Sequence, residues 1–122
     1  MKLPNGVLDL AISQALKSPM SHMHGAVIWK KGKIIGAGYN YHLGSPTPNQ
    51  RQISIHSEKD CLNGLHSNQI FNSSVLTVRV AKNGDMLNGQ PCKGCKKLLK
   101  RKGIKKIYWF DSEAHLSVTY LN

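Results

Sequence analysis

Long apolar runs are absent from this 122-residue chain. Neither end carries a stretch long or apolar enough for a membrane span, and residues 1–6 lack the apolar run of a signal peptide. We therefore expect no membrane partner and a cytoplasmic or nuclear location. Hydrophobic residues make up 40% of the chain and charged residues 19%, which is ordinary globular composition and argues against disorder. A chain of this length predicts a single domain over residues 1–122.

Cysteine is also scarce, since only Cys61, Cys92 and Cys95 occur. Three cysteines without a secretion signal argue against a disulfide framework. Cys92 and Cys95 form a C-x-x-C motif, which in a reducing compartment more often indicates metal or redox chemistry. A thioredoxin-like redox site remains an alternative, although it has no use for the distant H-x-E motif described below. Cys61 is predicted to be a small buried apolar residue.

Acidic residues are few: six Asp and Glu stand against seventeen Lys and Arg, for a formal net charge of +11. Such an excess favours phosphate-bearing partners. Charge alone cannot distinguish a mononucleotide from a polymer, and a small soluble protein can simply be basic. The densest basic run lies in residues 93–106, and its default interpretation is a solvated helix face.

Hydrophobic periodicity predicts an α/β fold with helices packed on a sheet. Helices are predicted over residues 7–17, from Ser54 or Ser57 to about 68, and over 92–102. Strands are predicted over residues 24–30, 33–39, 75–80, 104–110 and 116–121, with residues 41–53 as a loop and 82–85 as a turn. The first two strands should form a hairpin at Gly32. The last strand should return antiparallel, because residues 111–115 are too few for a parallel crossover.

Two short motifs carry the chemistry. His56 and Glu58 form H-x-E, and Pro91 precedes Cys92 and Cys95 in P-C-x-x-C. One histidine and two cysteines make the three protein ligands of a catalytic zinc site, which keeps its fourth position open for water. A glutamate two residues from the histidine is placed to act on that water rather than to bind the metal. This order of residues is the signature of zinc nucleobase deaminases.

The predicted helices begin at both motifs, where free backbone N–H groups and the helix dipole favour thiolates. Glu58 would take a proton from the water, pass it to a ring nitrogen of the base, and later protonate the departing amine. The alternative is a closed structural zinc site that takes a fourth ligand such as Cys61, His66 or His24. A structural site has no need of an acid beside the histidine, so the H-x-E motif favours catalysis.

The chain resembles the cytidine/deoxycytidylate deaminase-like superfamily over nearly its whole length. Beyond the two motifs, residues 24–28 and the G-x-G-Y-N run at 36–40 look like the first hairpin of that superfamily, and residues 78–88 resemble small CMP/dCMP-type deaminase domains of viral and fungal genomes. The resemblance implies a three-layer α/β/α fold with a mixed sheet of about five strands and an antiparallel C-terminal strand. It also implies Zn²⁺ held by His56, Cys92 and Cys95, Glu58 as proton shuttle, and self-association.

The resemblance extends to candidate substrate contacts. Asn40 corresponds to an asparagine that contacts the sugar in many members, and Ala26 to a small residue beside the base, although a strand-end role and a core role suit them equally well. Trp109 and Phe110 stand where polynucleotide cytosine deaminases carry an aromatic loop, but their side chains alternate on a strand, so at least one should be core. Arg51 is a further candidate of little specificity.

Two features depart from the superfamily's pattern. Ser57 replaces the commoner alanine between the histidine and the glutamate, a change predicted to leave the chemistry unaffected. The tail is too short for the final helices of tRNA adenosine deaminases. We therefore predict a zinc-dependent deaminase that converts cytosine to uracil in a nucleotide or single-stranded nucleic acid. The alternatives are an adenosine deaminase acting on RNA and a zinc-stabilised nucleic-acid-binding module without turnover.

Overall fold

A computed structural model describes residues 3–43 and 53–121. Its helices are α1 (Val7–Leu16), α2 (Ser57–Cys61), α3 (Ser67–Ile70) and α4 (Lys93–Arg101). Its strands are β1 (Met23–Lys30), β2 (Lys33–Tyr39), β3 (Tyr41–Leu43), β4 (Ile53–Ile55), β5 (Ser74–Val80), β6 (Met86–Leu87), β7 (Lys106–Phe110) and β8 (Leu116–Tyr120). None of the described helices is long and apolar enough to cross a bilayer.

The main sheet is mixed and runs in the order β2-β1-β5-β7-β8, with β6 paired to β5. β5 and β7 are parallel, and α4 forms the crossover between them. The other pairs are antiparallel, including β7 with β8, which confirms the predicted return of the last strand. β3 and β4 form a separate two-stranded ribbon.

Side chains alternate across the sheet and build two cores, one on each face. On one face Val27, Leu76 and Val78 pack against α1 through residues such as Ala11. On the other face the buried side chains pack against α2 and α4, and this core contains Ala26, Ile28, Cys61, Val75, Leu99 and Ile107. The molecule therefore has three layers, with α1 on one side of the sheet and α2 and α4 on the other, as expected.

Two sequence predictions need correction. The helix predicted from residue 54 to about 68 is shorter and broken: residues 53–55 form β4, α2 ends at Cys61, and α3 follows separately. Gly64 interrupts the helix because it adopts a left-handed backbone with φ of 81°. The loop predicted over 41–53 contains β3 and the start of β4 at its ends, and its centre lies outside the described residues.

Gly25 lets α1 lie directly on β1. A Cβ atom at this position would overlap the carbonyl oxygen of Ala11 and would lie 2.7 Å from the backbone nitrogen of Ala15. Because both neighbours are helix backbone, they cannot move aside as a side chain could. We expect Gly25→Ala to lower the free energy of unfolding by about 3 kcal/mol, the upper part of the range for overpacked cores, as measured by chemical denaturation.

Gly94→Ala is the matched control, because a Cβ atom there would meet only Cys92 Sγ at 3.9 Å. Alanine is the better helix former, so this variant should be at least as stable as the parent. Equal stability of the two alanine variants would show that α1 can shift away from β1 at little cost.

Candidate active site

His56, Cys92 and Cys95 come together because two helices start at the same edge of the structure. His56 is the N-cap of α2, Cys92 is the N-cap of α4, and Cys95 lies in the first turn of α4. His56 Nδ1 lies 3.1 Å from Cys95 Sγ and 3.8 Å from Cys92 Sγ. The donor atoms of all three residues lie within 4.8 Å of one another. This group could hold a metal ion.

The N-cap of α2 was predicted to be Ser54 or Ser57, and the structure places His56 there instead. Its side chain makes no capping hydrogen bond and lies against the thiols. Cys92, by contrast, does cap its helix, since the backbone N–H of Cys95 donates to Cys92 Sγ at 3.4 Å. The cap holds the C-x-x-C loop with both sulfur atoms on the side of His56.

The thiol of Cys95 corrects a further expectation. Burial, and next the negative charge of Glu58, raise the pKa of this thiol well above its ordinary value. Position in the first turn of α4 therefore does not by itself make Cys95 a thiolate. A bound cation is what would favour the ionised sulfur, because its charge offsets both effects.

The other ligands considered for a closed structural site do not join this group. Cys61 is buried in the core between α2 and the sheet, where its Sγ donates to the carbonyl oxygen of Glu58 at 3.1 Å. His66 caps α3 instead. His24 lies in the wall of the same cavity, but among the described residues only His56, Cys92 and Cys95 form a metal-ligating cluster.

Glu58 lies next to this cluster without being part of it. The residue is 4% exposed, and its carboxylate lies close enough to Cys95 to raise the pKa of that thiol. The hydroxyl of Ser57, which is fully buried, donates to Glu58 Oε1 at 2.6 Å. Ser57 was predicted to leave the chemistry unaffected, yet in the structure it holds one carboxylate oxygen in place.

A cavity of about 310 Å³ opens beside His56 and Glu58. This volume suits a small organic ligand. The residues that line it come from the loop before β1, from β1 itself, from the junction of β2 and β3, from β4 and the start of α2, and from the segment that leads into α4. They are Met20, His22, His24, Asn40, Ser54, His56, Ser57, Glu58, Gln90, Pro91 and Cys92. The cavity thus joins the metal-ligating group to a wall that contains two further histidines.

Asn40 is in that wall, and its amide is held from both sides. The residue is 6% exposed. Its Oδ1 accepts from the backbone N–H of His24 at 2.9 Å, and its Nδ2 donates to the carbonyl oxygen of His22 at 2.7 Å. An amide has a second N–H and a second lone pair, so Asn40 can still contact a ligand while it orients the segment that carries both histidines.

We expect Asn40→Ala to lower the free energy of unfolding by about 1–3 kcal/mol, because the change leaves the backbone groups of His22 and His24 unpaired. Denaturant unfolding measures the effect. Asn63→Ala, at an exposed position, is the control and should leave stability nearly unchanged. Similar small changes in both variants would contradict a bridging role for Asn40.

The other predicted substrate contacts lie elsewhere or lie outside the described residues. Ala26 is fully buried in the core beneath α2 and α4 and does not line the cavity. Trp109 and Phe110 alternate on β7 as predicted: Trp109 packs on the α2–α4 side, and Phe110 packs on the α1 side. Neither lines the cavity. Arg51 lies outside the described residues.

Sequence reasoning missed His22 as a cavity residue and considered His24 only as a structural ligand. Both line the same cavity as His56 and Cys92. Burial lowers the pKa of His24 most, with Arg79 and the other two histidines acting in the same direction and Glu58 opposing them. His24 is therefore mostly neutral near pH 7. His22 and His24 occupy alternate positions at the start of a predicted strand, and this spacing could have indicated that they share a face.

Solved structures with a similar fold include several deaminases. The chain matches the dCMP deaminase of the cyanophage S-TIM5 with a TM-score of 0.55 and 21% identity, over 91% of this chain and 86% of that one. The chain has the cytidine deaminase-like fold. Within this fold, the cytidine deaminase from Burkholderia pseudomallei matches with a TM-score of 0.67 and 14% identity, over 94% and 90% of the two chains. That from Mycobacterium leprae matches with a TM-score of 0.62 and 18% identity, over the same shares. No protein-family model and no curated protein matches the sequence.

Proposed function

We propose that this cytidine deaminase-like protein is a zinc-dependent hydrolase that converts cytosine to uracil in a nucleotide or in single-stranded nucleic acid. One observation carries the proposal. The donor atoms of His56, Cys92 and Cys95 converge within 4.8 Å, while the buried carboxylate of Glu58 lies beside them and outside the group. A purely structural site would not need a buried acid next to its ligands.

The donor set fits zinc, because two thiolates and one imidazole are a ligand set of catalytic zinc sites. His56, Cys92 and Cys95 would hold the ion, and zinc bound there would supply a water that ionises near neutral pH. Glu58 takes a proton from the attacking water and passes it to a ring nitrogen of the base. The hydroxide adds to the amine-bearing carbon, and Glu58 takes the remaining proton of that hydroxyl and gives it to the amine. The C–N bond then breaks, ammonia leaves with the bonding electron pair, and the oxygen forms the carbonyl. Cytosine and water thus give uracil and ammonia.

The surroundings of Glu58 suit this task. A proton shuttle must keep one orientation between two transfers, and the bond from Ser57 fixes one carboxylate oxygen of Glu58. The second oxygen is left for the water and the base. The cavity, which His24 and Asn40 also line, has a volume of about 310 Å³ and is large enough for a base and its sugar.

The comparisons support a phosphorylated cytosine substrate. The S-TIM5 dCMP deaminase has also been solved in complex with dCMP and dUMP. That structure matches with a TM-score of 0.54 and 20% identity, over 91% of the present chain and 84% of the deaminase. The excess of eleven positive charges in the present chain favours phosphate on its ligand as well.

Ammonia release and metal content test the proposal together. Purified protein, with its zinc measured by atomic absorption, is incubated with cytidine, dCMP, single-stranded DNA, single-stranded RNA and adenosine-containing RNA. We expect one zinc per chain and ammonia from a cytosine substrate. Release only from adenosine would favour the adenosine alternative. Stoichiometric zinc without ammonia from any of these would overturn the enzyme and favour a binding module.

A further inference from the structure

Arg79 lies on the same face of the sheet as the candidate active site. In β5 the alternate residues Val75 and Thr77 face α2, α4 and the segment before α4: Val75 is in the core with Leu99, and Thr77 donates to the carbonyl oxygen of Gly89. Arg79 is the next residue in this alternation. Its register partner on the antiparallel strand β1 is His24, which lines the cavity. Side chains so paired have Cβ atoms about 5 Å apart.

The guanidinium of Arg79 reaches His22 at the rim. Arg79 Nη2 and His22 Nδ1 are hydrogen-bonded, while Arg79 Nε is buried and has no hydrogen-bond partner in the described part of the chain. His22 itself is exposed and lines the cavity. The inner part of the guanidinium is therefore enclosed, and its outer nitrogen stands beside a cavity residue.

No carboxylate balances this charge. In residues 3–43 and 53–121 the only acid–base pairs within 4 Å join His115 to Asp111 and to Glu113, at the β7–β8 turn. Arginine is always charged in proteins, and a half-buried guanidinium ordinarily has an anionic partner. Here a bound ligand can provide that partner.

Two cavity residues connect the candidate active site to Arg79, since His24 is its strand partner and His22 is its hydrogen-bond partner. His24 is close enough to both Glu58 and Arg79 for each to act on its charge. Glu58 and His24 both line the cavity, and Arg79 lies beside His24 without lining it. A base placed next to Glu58 would direct its sugar and phosphate along the wall of His24 and His22, towards Arg79.

We propose that Arg79 and His22 form an anion subsite that binds a phosphate of the substrate and selects phosphorylated cytosine over the free nucleoside. The inference rests on the proposed function, which it deepens. The phosphate is either the terminal monoester of a mononucleotide or the diester beside a cytosine in a single strand. Arg79 is a specificity residue in this assignment and takes no part in the proton transfers.

Steady-state kinetics of Arg79→Gln on three substrates tests the subsite: deoxycytidine, dCMP and a single-stranded oligodeoxynucleotide with one cytosine. A lost charge-assisted hydrogen bond predicts that kcat/KM falls about 30-fold for a phosphorylated substrate, with deoxycytidine changed less than twofold. A loss on dCMP alone identifies the monoester, and a loss on the oligonucleotide identifies the diester. Equal losses on deoxycytidine would overturn the proposal.

Two further variants serve as controls for charge and for folding. Arg101→Gln removes the same charge from the exposed end of α4 and should leave the preference for phosphorylated substrates unchanged. Arg79→Lys keeps the charge without the planar donor pair, so it should retain part of the preference for phosphorylated substrates. If circular dichroism shows that Arg79→Gln is unfolded, Arg79→Lys takes its place in the test. A preference that falls equally in Arg79→Gln and Arg101→Gln would contradict a local subsite.

Calorimetric binding of dUMP and deoxyuridine separates this inference from the proposed function. If no substrate yields ammonia but dUMP binds more tightly than deoxyuridine and loses that advantage in Arg79→Gln, the subsite stands and the proposed function fails. If ammonia is released but Arg79→Gln leaves the advantage of dUMP intact, the subsite is wrong and the proposed function stands.

Discussion

Glu58→Gln is expected to lower ammonia release by about 1000-fold or more while metal content and fold stay unchanged. The substitution keeps the size and shape of the side chain, and its amide oxygen can still accept from Ser57, as Oε1 does at 2.6 Å in the structure. It removes the ability to carry a proton, and a positioned acid/base contributes about 10²–10⁴-fold to such reactions. Turnover of dCMP and zinc content per chain are the measurements.

Glu113→Gln is the matched control, since that carboxylate is exposed at the β7–β8 turn. It should turn over substrate at the parental rate. A Glu58→Gln protein that retains more than about a tenth of the parental rate would contradict the role of proton shuttle, because the smallest contribution expected of such a group is about 100-fold. If Glu58→Gln lost its zinc, Glu58 would instead be a metal ligand.

Cys95→Ala is expected to abolish stoichiometric metal binding and, with it, all activity. Cys95 supplies the most buried donor of the three, at 7% exposure, and its Sγ lies nearest to His56. Two remaining protein ligands hold zinc far less tightly than three. Because a ligand that binds only the folded state adds to stability, the melting temperature should no longer rise when zinc is added.

Cys61→Ala separates metal binding from the loss of a buried sulfur. Cys61 is even more buried than Cys95, at 1% against 7% exposure, but it belongs to the core and not to the metal-ligating cluster. This variant should bind one zinc, keep a zinc-dependent rise in melting temperature, and lose only the packing of one small side chain. Loss of zinc from Cys61→Ala with retention in Cys95→Ala would show that the ligand assignment is wrong.

Much of the fold could be predicted because local signals and tertiary packing agree. The hairpin of β1 and β2 around Gly32, the strand β5 and the helix α4 lie close to their predicted positions. Each combines a clear periodicity with a turn or cap residue, such as Gly103 after α4, which takes a φ of 88°. The antiparallel return of β8 could be predicted from the length of the connection after β7, because five residues are too few to cross over a sheet.

The segment between β3 and β5 shows where local signals fail. Apolar residues at helical spacing predicted one helix to about residue 68, but α2 stops at Cys61 and a left-handed Gly64 follows. Ile53 and Ile55, which favour a strand, pair with β3 instead of entering the helix. Pairing with a partner distant in sequence determines such boundaries, and a single-sequence pattern does not contain that information.

Ser57 and Arg79 show that contacts at the candidate site also could not be predicted from the sequence pattern. Ser57 differs from the commoner alanine by one hydroxyl, and only the structure shows that this hydroxyl contacts Glu58. Arg79 lies in an apolar strand, and its relation to the cavity depends on its register opposite His24 and on its contact with His22. Both contacts arise from strand pairing and helix placement.

The sequence by itself predicted the metal-ligating group, because the side chains of His56, Cys92 and Cys95 have few other common uses at that spacing, and it predicted Glu58 as the acid beside them. It also determined the succession of helices and strands that places both motifs at helix starts. The tertiary structure decided which other residues share the cavity. Asn40, His22 and His24 meet there through backbone hydrogen bonds, and Arg79 is placed beside them by sheet register and its contact with His22. These long-range contacts leave no periodic trace in the chain.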